Sequence, residues 1–246
     1  MTSIYPIKFA AAQTAVVARV QEFGDLPDAV RDLGLPSPRP VIVLVGGAGS
    51  ITKADLARLR PLFDEALAPI AEELGGVIVD GGTDAGVMRL MGQARASRDF
   101  PLVGVVAEQL AALPSHPVMK SQSPLEAHHT HFVLTPGSEW GDEAVWISRL
   151  ATVLAGTQPS ATVLINGGEI AYQDAAYSVE QHRPVIVVEG SGRTADVLAA
   201  ALRGKVKDKR AKQLAASGML SSVQLKDGPA ALAAAIRDLA HKHASR

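Results

Sequence analysis

The stretch Gly75–Arg95, GGVIVDGGTDAGVMRLMGQAR, decides how the chain is read. Its β-branched run Val77–Val79 predicts a strand, the Gly81-Gly82 pair a tight turn, and the remainder a helix. Val87, Leu90, Met91 and Ala94 recur at steps of three and four, which puts them on one helical face. Thr83 or Asp84 is expected to cap the first turn. A helix N-terminus carries unpaired N–H groups and partial positive charge, and glycine lets an anion reach the backbone. Gly81, Gly82, Thr83 and Gly86 are therefore candidates for holding a phosphate. Any α/β crossover also uses glycine where strand meets helix, so one such turn alone is a weak signal.

The same unit recurs in both directions. Upstream, Val41–Val45 is continuously apolar, as in a strand buried on both faces, and ends in Gly46-Gly47-Ala48-Gly49. A helical region follows to Leu74, with Leu59, Phe63, Ile70 and Leu74 on one face and a break or kink expected from Pro61 and Pro69. Downstream, Leu102–Val106 is a strand, and residues 107–128 form an irregular segment long enough to be a lid or binding loop. His131–Thr135 is a strand entering Pro136-Gly137-Ser138-Glu139-Trp140-Gly141, then a helix through Ile147, Leu150, Ala151 and Leu154. Thr162–Ile165 enters Asn166-Gly167-Gly168-Glu169 and a helix through Tyr172, Ala176 and Val179. Pro184–Val188 enters Gly190-Ser191-Gly192-Arg193 and the helix Thr194–Leu202. An edge strand at Ser222–Leu225 and a helix through Leu232, Ala235, Ile236 and Leu239 end the chain. At the other end, Ala10–Phe23 reads as a helix with Ala12, Val16, Val17 and Val20 inward, and Leu26–Leu33 as a second; Pro36, Pro38 and Pro40 give an extended lead-in.

Alternating strands and helices predict an α/β, Rossmann-like fold: a mostly parallel sheet of about six to seven strands with helices on both faces. No internal repeat or linker stands out, so a single domain, 1–246, is expected, with 1–38 an N-terminal extension, 39–203 the core and 204–246 a C-terminal helical extension. The 246 residues, 47% hydrophobic and only 4% aromatic, suffice for a full core. Net charge is −1, which gives no whole-chain bias toward nucleic acid or an anionic membrane. The basic run Lys205–Lys212 reads as a solvated helix face. There is no Cys, no basic-then-apolar leader, and no apolar run near the roughly 18–20 residues that cross a bilayer, so a cytoplasmic, soluble protein is expected.

Ligands of open α/β sheets bind outside the C-terminal strand ends. Five of the six main strands end there in glycine, leaving a backbone-lined groove suited to a phosphate or pyrophosphate. The clean GxGxxG dinucleotide fingerprint is missing, which disfavours an ordinary dehydrogenase. Arg193 either grips a phosphate or bridges to Glu189; Thr83 and Ser191 either donate hydroxyls or cap helices. Glu139, Asp142 and Glu143 either meet ribose hydroxyls and move protons, or complement a helix N-terminus. Trp140 either stacks on a base or packs. His128, His129 and His131 show no partnered carboxylate and no metal-ligand pattern, so a structural or ligand-contacting role is expected and no metal. No nucleophile elbow is present.

In this order, VLVGGA (43–48), GGTDAGVMRLMGQA (81–94), HTHFVL (129–134), WGDE (140–143) and GSGRTADVLA (190–199) resemble the SLOG superfamily. More narrowly they resemble its LSDAT group: the N-terminal domain of melastatin-type TRP channels and stand-alone prokaryotic relatives. That resemblance implies a Rossmann-like fold binding a nucleotide or NAD derivative such as ADP-ribose, and implies ligand contacts at Gly47, Gly82, Thr83, Gly137, Glu143, Gly168, Ser191 and Arg193. Gly46, Gly81, Gly86, Ser138, Gly167, Glu169, Gly190 and Gly192 complete the candidate set. LOG phosphoribohydrolases, more distant members, carry PGGxGTxxE; here Pro136–Glu143 reads PGSEWGDE, with Ser138 at the second glycine and Glu143 out of register. The expected role is thus a ligand sensor needing no cofactor; the alternatives are an N-glycosidic hydrolase using Glu143 or Glu139, and a partner-binding module with an empty groove. A homodimer, and an effector or membrane-protein partner, are family-level expectations.

Overall fold

The computed structural model describes residues 3–10, 13–114 and 116–244. In chain order, β1 (Ser3–Lys8) and β2 (Thr14–Arg19) precede the helix α1 (Leu26–Asp32). Then come β3 (Val41–Gly46), α2 (Lys53–Leu62), a π-helical stretch Phe63–Leu67, α3 (Ala68–Glu73), β4 (Val77–Asp80), α4 (Gly86–Arg95) and β5 (Leu102–Ala107). Two short strands, β6 (Ala111–Ala112) and β7 (Ser123–Pro124), pair with each other. The chain continues through β8 (His131–Thr135), α5 (Ala144–Ala155), β9 (Ser160–Ile165), α6 (Ile170–Glu180), β10 (Val185–Glu189), α7 (Arg193–Leu202), α8 (Lys209–Ala216), β11 (Leu220–Gln224) and α9 (Gly228–Ala244).

The main sheet has nine strands in the order β1-β2-β8-β5-β4-β3-β9-β10-β11, parallel throughout except for the antiparallel β1–β2 pair. It is larger than the six to seven strands expected, because the N-terminal segment adds a hairpin. Ala10–Phe23 is not a helix: Val16 and Val17 sit on β2, which pairs with β8, while Ala12 lies outside the described residues. A β-branched pair beside a neighbouring strand packs better on a pleated surface than on an isolated helix.

The apolar runs sort by parity, as strands buried on both faces require. Val41, Val43 and Val45 face the core formed with α1, α5, α6 and α7; Ile42 and Leu44 face the core formed with α2, α3, α4 and α9. Phe132, Leu134, Val106 and Val17 build a smaller cluster under the hairpin. The break expected between Pro61 and Pro69 is the π-helical stretch, which widens one turn where proline disturbs the helical ladder. Among the described residues no helix is long and apolar enough to cross a membrane.

Candidate functional site

From β3 the chain builds β4, β5 and β8 on one side, then crosses to lay β9, β10 and β11 on the other. The β3/β9 boundary is therefore a topological switch point, where adjacent connections diverge and leave a crevice. A cavity of about 380 Å³ opens there. Its floor is Leu44, Val45 and Gly46 at the end of β3; Gly81, Thr83, Ala85 and Met88 form one wall, and Trp140, Glu143, Ile147, Ile170 and Asp174 the other. The size and largely apolar lining fit a small-molecule site. A depression of about 460 Å³ beside Gly156, Ser160 and Pro184 lies at the opposite ends of the strands.

Of the candidate residues, Gly46, Gly81, Thr83 and Glu143 line this cavity. Several others shape its edge through contacts within the protein. Gly82 (φ +64°) packs against Gly104, and a Cβ there would lie 2.8 Å from the Gly104 Cα. Gly86 (φ +49°) lets α4 press on the β3 loop, and the Val87 amide donates to the Gly47 carbonyl at 3.0 Å. Part of that helix N-terminus is thus used by the protein. Neither Thr83 nor Asp84 caps α4: its N-cap is Ala85, Thr83 is buried in a bridge with Leu125, and Asp84 pairs with Arg89 at 2.6 Å. Gly137 packs on Asp142, whose Oδ2 accepts from the Ser138 and Glu139 amides at 2.9 and 3.0 Å. Gly167 packs on Ala171, Glu169 is exposed and paired with Arg210 at 2.6 Å, and the Gly190 amide donates to Asp196 at 2.6 Å. Gly192 packs on the Asn166 amide group. The buried Ser191 hydroxyl is spent inside the fold, accepting from the Asn166 amide at 2.7 Å and donating to the Val188 carbonyl at 2.6 Å.

Arg193 behaves differently. It is exposed, it donates to the Ser50 hydroxyl, and its guanidinium lies against Gly168; Ser50 follows the cavity-lining Gly49, and Gly168 lies two residues before the cavity-lining Ile170. It does not bridge to Glu189, which takes two bonds from Arg203 at 2.7 and 2.8 Å. Among the described residues Arg193 makes no ion pair.

Two acids face the cavity. Burial, then the charge of Asp142, raises the Glu143 carboxyl; its Oε2 accepts from the Gly141 amide at 2.9 Å. Burial, then the charge of Glu143, raises Asp174 to about 8. Asp174 was not among the sequence candidates. Its signal was its spacing: it lies four residues beyond Ile170, the first residue of the helix that leaves the Gly167-Gly168 loop.

The histidines are also clearer. His129 is buried between two carboxylates, Nε2 to Asp80 at 2.8 Å and Nδ1 to Glu126 at 2.9 Å, which corrects the expectation that no carboxylate partners it. Both ring nitrogens must donate, so the ring is an imidazolium. Burial alone would lower its pKa; the two carboxylates outweigh that and raise it to about 9. Burial pushes His131 down to about 4. Asp80 also accepts from the Gly82 amide at 2.7 Å, and the Glu126 amide donates to the Gly82 carbonyl at 2.9 Å. The end of the 107–128 segment is thereby strapped to the glycine turn, and its Ser123 reaches the cavity.

The family model described as "SLOG in TRPM, prokaryote" matches residues 39–234. The chain belongs to this family. It is 26% identical over 206 residues to transient receptor potential cation channel subfamily M member 2 of Mus musculus, covering 68% of this chain and 13% of that protein. It is 25% identical over 213 residues to the subfamily M member-like 2 protein of Nematostella vectensis, covering 70% and 14%. Human subfamily M member 6 is 25% identical over 195 residues, covering 66% and 10%. This SLOG chain thus spans only a small part of the channels it matches. Among solved structures it superposes on a molybdenum cofactor binding protein from Rippkaea orientalis with a TM-score of 0.50 at 14% identity, covering 82% of this chain and 98% of the other. That likeness concerns the fold.

Proposed function

We propose that this SLOG chain binds a nucleotide or NAD-derived ligand such as ADP-ribose in the switch-point cavity and acts as a ligand sensor. The observation that carries the reading is Arg193: an exposed guanidinium without a carboxylate partner, against Gly168 and Ser50, close in the chain to Ile170 and Gly49 of an apolar cavity. A guanidinium so placed suits a phosphate through parallel N–H bonds. The apolar walls and Trp140 suit a base, and the acids suit ribose.

A second reading, an N-glycosidic hydrolase, is favoured by one specific observation. Two carboxyls of raised pKa share the cavity, and paired acids are what glycoside cleavage uses. Water would add to the sugar carbon as the bond to the base breaks, giving ribose 5-phosphate and free base from a nucleoside monophosphate.

Thermal shifts with AMP, ADP, ADP-ribose, NAD and cyclic ADP-ribose, followed by mass spectrometry of each hit, separate the readings. Ligand at a hundredfold excess over Kd stabilises by about 2.7 kcal/mol. A shift with intact ligand supports the sensor, and a shift with released base supports the hydrolase. No shift with any of them removes both.

A further inference from the structure

The Asp174 carboxyl sits on the cavity wall, half-buried, and accepts no hydrogen bond from the described residues; only its backbone carbonyl is engaged, by Ser178. Glu143 faces the same cavity from the N-cap of α5 and already holds the Gly141 amide. A carboxyl on a cavity wall whose oxygens take no protein donor keeps its acceptor positions open to a bound group. Resting on the nucleotide reading of this cavity, we infer that Asp174 is a sugar-binding residue. Together with Glu143 it takes the vicinal 2′- and 3′-hydroxyls of a ribosyl group, so the site selects ribonucleotides over their deoxy counterparts.

The layout along α6 supports this. The phosphate end is marked by Arg193, which touches Gly168 just before the helix. Ile170 comes next on the cavity wall, and Asp174 follows four residues on, about 6 Å along the axis. A ribose is the part of a nucleotide that lies beyond its phosphate, and Trp140 on the same wall is left for the base. Adjacent hydroxyls offer two donors, and carboxyl oxygens supply the acceptors.

The test measures affinity by calorimetry for AMP, 2′-deoxy-AMP and 3′-deoxy-AMP, in the wild-type chain and in D174A and D174N, each first checked for a cooperative unfolding transition. At pH 9, where Asp174 is ionised, the wild-type chain should prefer AMP to both deoxy compounds by about tenfold to a hundredfold, the range of a hydrogen bond to a charged acceptor. D174A should lose the preference for at least one hydroxyl while binding that deoxy compound as the wild type does. Should D174A fail to fold, D174N carries the comparison: it keeps the volume, offers one acceptor oxygen, and should retain only part of the preference. A variant that keeps the full preference overturns the assignment. Equal wild-type binding of all three compounds overturns it while leaving the nucleotide reading intact. If these three, ADP-ribose and NAD all fail to bind, the nucleotide reading falls and the sugar assignment falls with it.

Discussion

Replacing His129 by Gln removes the imidazolium between two buried carboxylates; Glu126 keeps the His128 ring at 2.6 Å and amide at 2.9 Å, while Asp80 keeps only the neutral Gly82 amide and is the charge left unpaired. The Asp80 side chain is 0% exposed and that of Glu126 4%, so neither regains solvent when the imidazolium is lost. Breaking a buried ion pair by deleting one partner costs about 3–5 kcal/mol, because the remaining charge is left unpaired. A pH signature accompanies this loss. The folded pKa of about 9 lies above the ordinary 6.5, so the folded state holds the proton more tightly. That stabilisation is present in full below pH 6.5 and is lost as pH rises through 9; at about 1.4 kcal/mol per pH unit it amounts to about 3 kcal/mol. Urea unfolding of wild type and H129Q at half-unit steps from pH 5.5 to 10 would measure it. The gap between the two proteins should be about 3–5 kcal/mol at pH 6 and should narrow by about 3 kcal/mol toward pH 10. Asp174 titrates in both proteins and drops out of the difference. Parallel curves, or a gap below about 1 kcal/mol at pH 6, would refute the buried imidazolium, since a surface substitution moves stability by less than that.

Other substitutions probe the loops and the cavity. In G104A the new Cβ would lie 2.6 Å from the Gly82 Cα and 2.7 Å from the Phe132 ring, so the urea midpoint should fall by the equivalent of about 3 kcal/mol. R193A should leave stability within about 0.5 kcal/mol, yet weaken AMP or ADP-ribose by about tenfold or more in calorimetry with adenosine unaffected. D174N should be more stable than wild type, by a margin that grows from pH 5 to pH 8 in thermal unfolding. An acid whose folded pKa of about 8 exceeds its ordinary 3.8 loses stability as pH rises through that window, and an amide does not titrate.

Much of the fold was legible because β3, β4, β5, β9 and β10 are apolar on both faces and all of these but β5 run into a glycine turn. The hairpin was not. TAVVAR has too few residues to separate a two-residue from a 3.6-residue period, and its partner β8 lies more than a hundred positions away. The cavity was legible as an edge of glycines but less so as a set of residues. Glycine marks close approach of any kind, and at Gly82, Gly86 and Gly167 the approaching atoms belong to the protein itself. Ser191 reads as a hydroxyl donor in sequence, yet its bonds run to Asn166 and Val188. Asp174 and Ser123 were missed because only the packing of α6 and the 107–128 segment brings them to the same cavity as Glu143. Of the two His129 partners, Asp80 is 49 positions away in the chain and out of reach of local spacing, whereas Glu126, three positions away, was within it.

The neighbours at the centre of the sheet are distant in the chain. Val41 of β3 pairs with Ser160 of β9, and everything from β4 to α5 is built between them. Closing so long a loop carries an entropic cost before any contact rewards it, which places this pairing among the slow steps of folding. The cavity straddles that seam, with β3 beneath it and α6 beyond it. A nascent chain halted before Ser160 would therefore lack Ile170 and Asp174 of one wall, and Arg193 with them. Binding then acts on the finished molecule: a ligand should slow the escape from the native state while leaving the rate of reaching it unchanged.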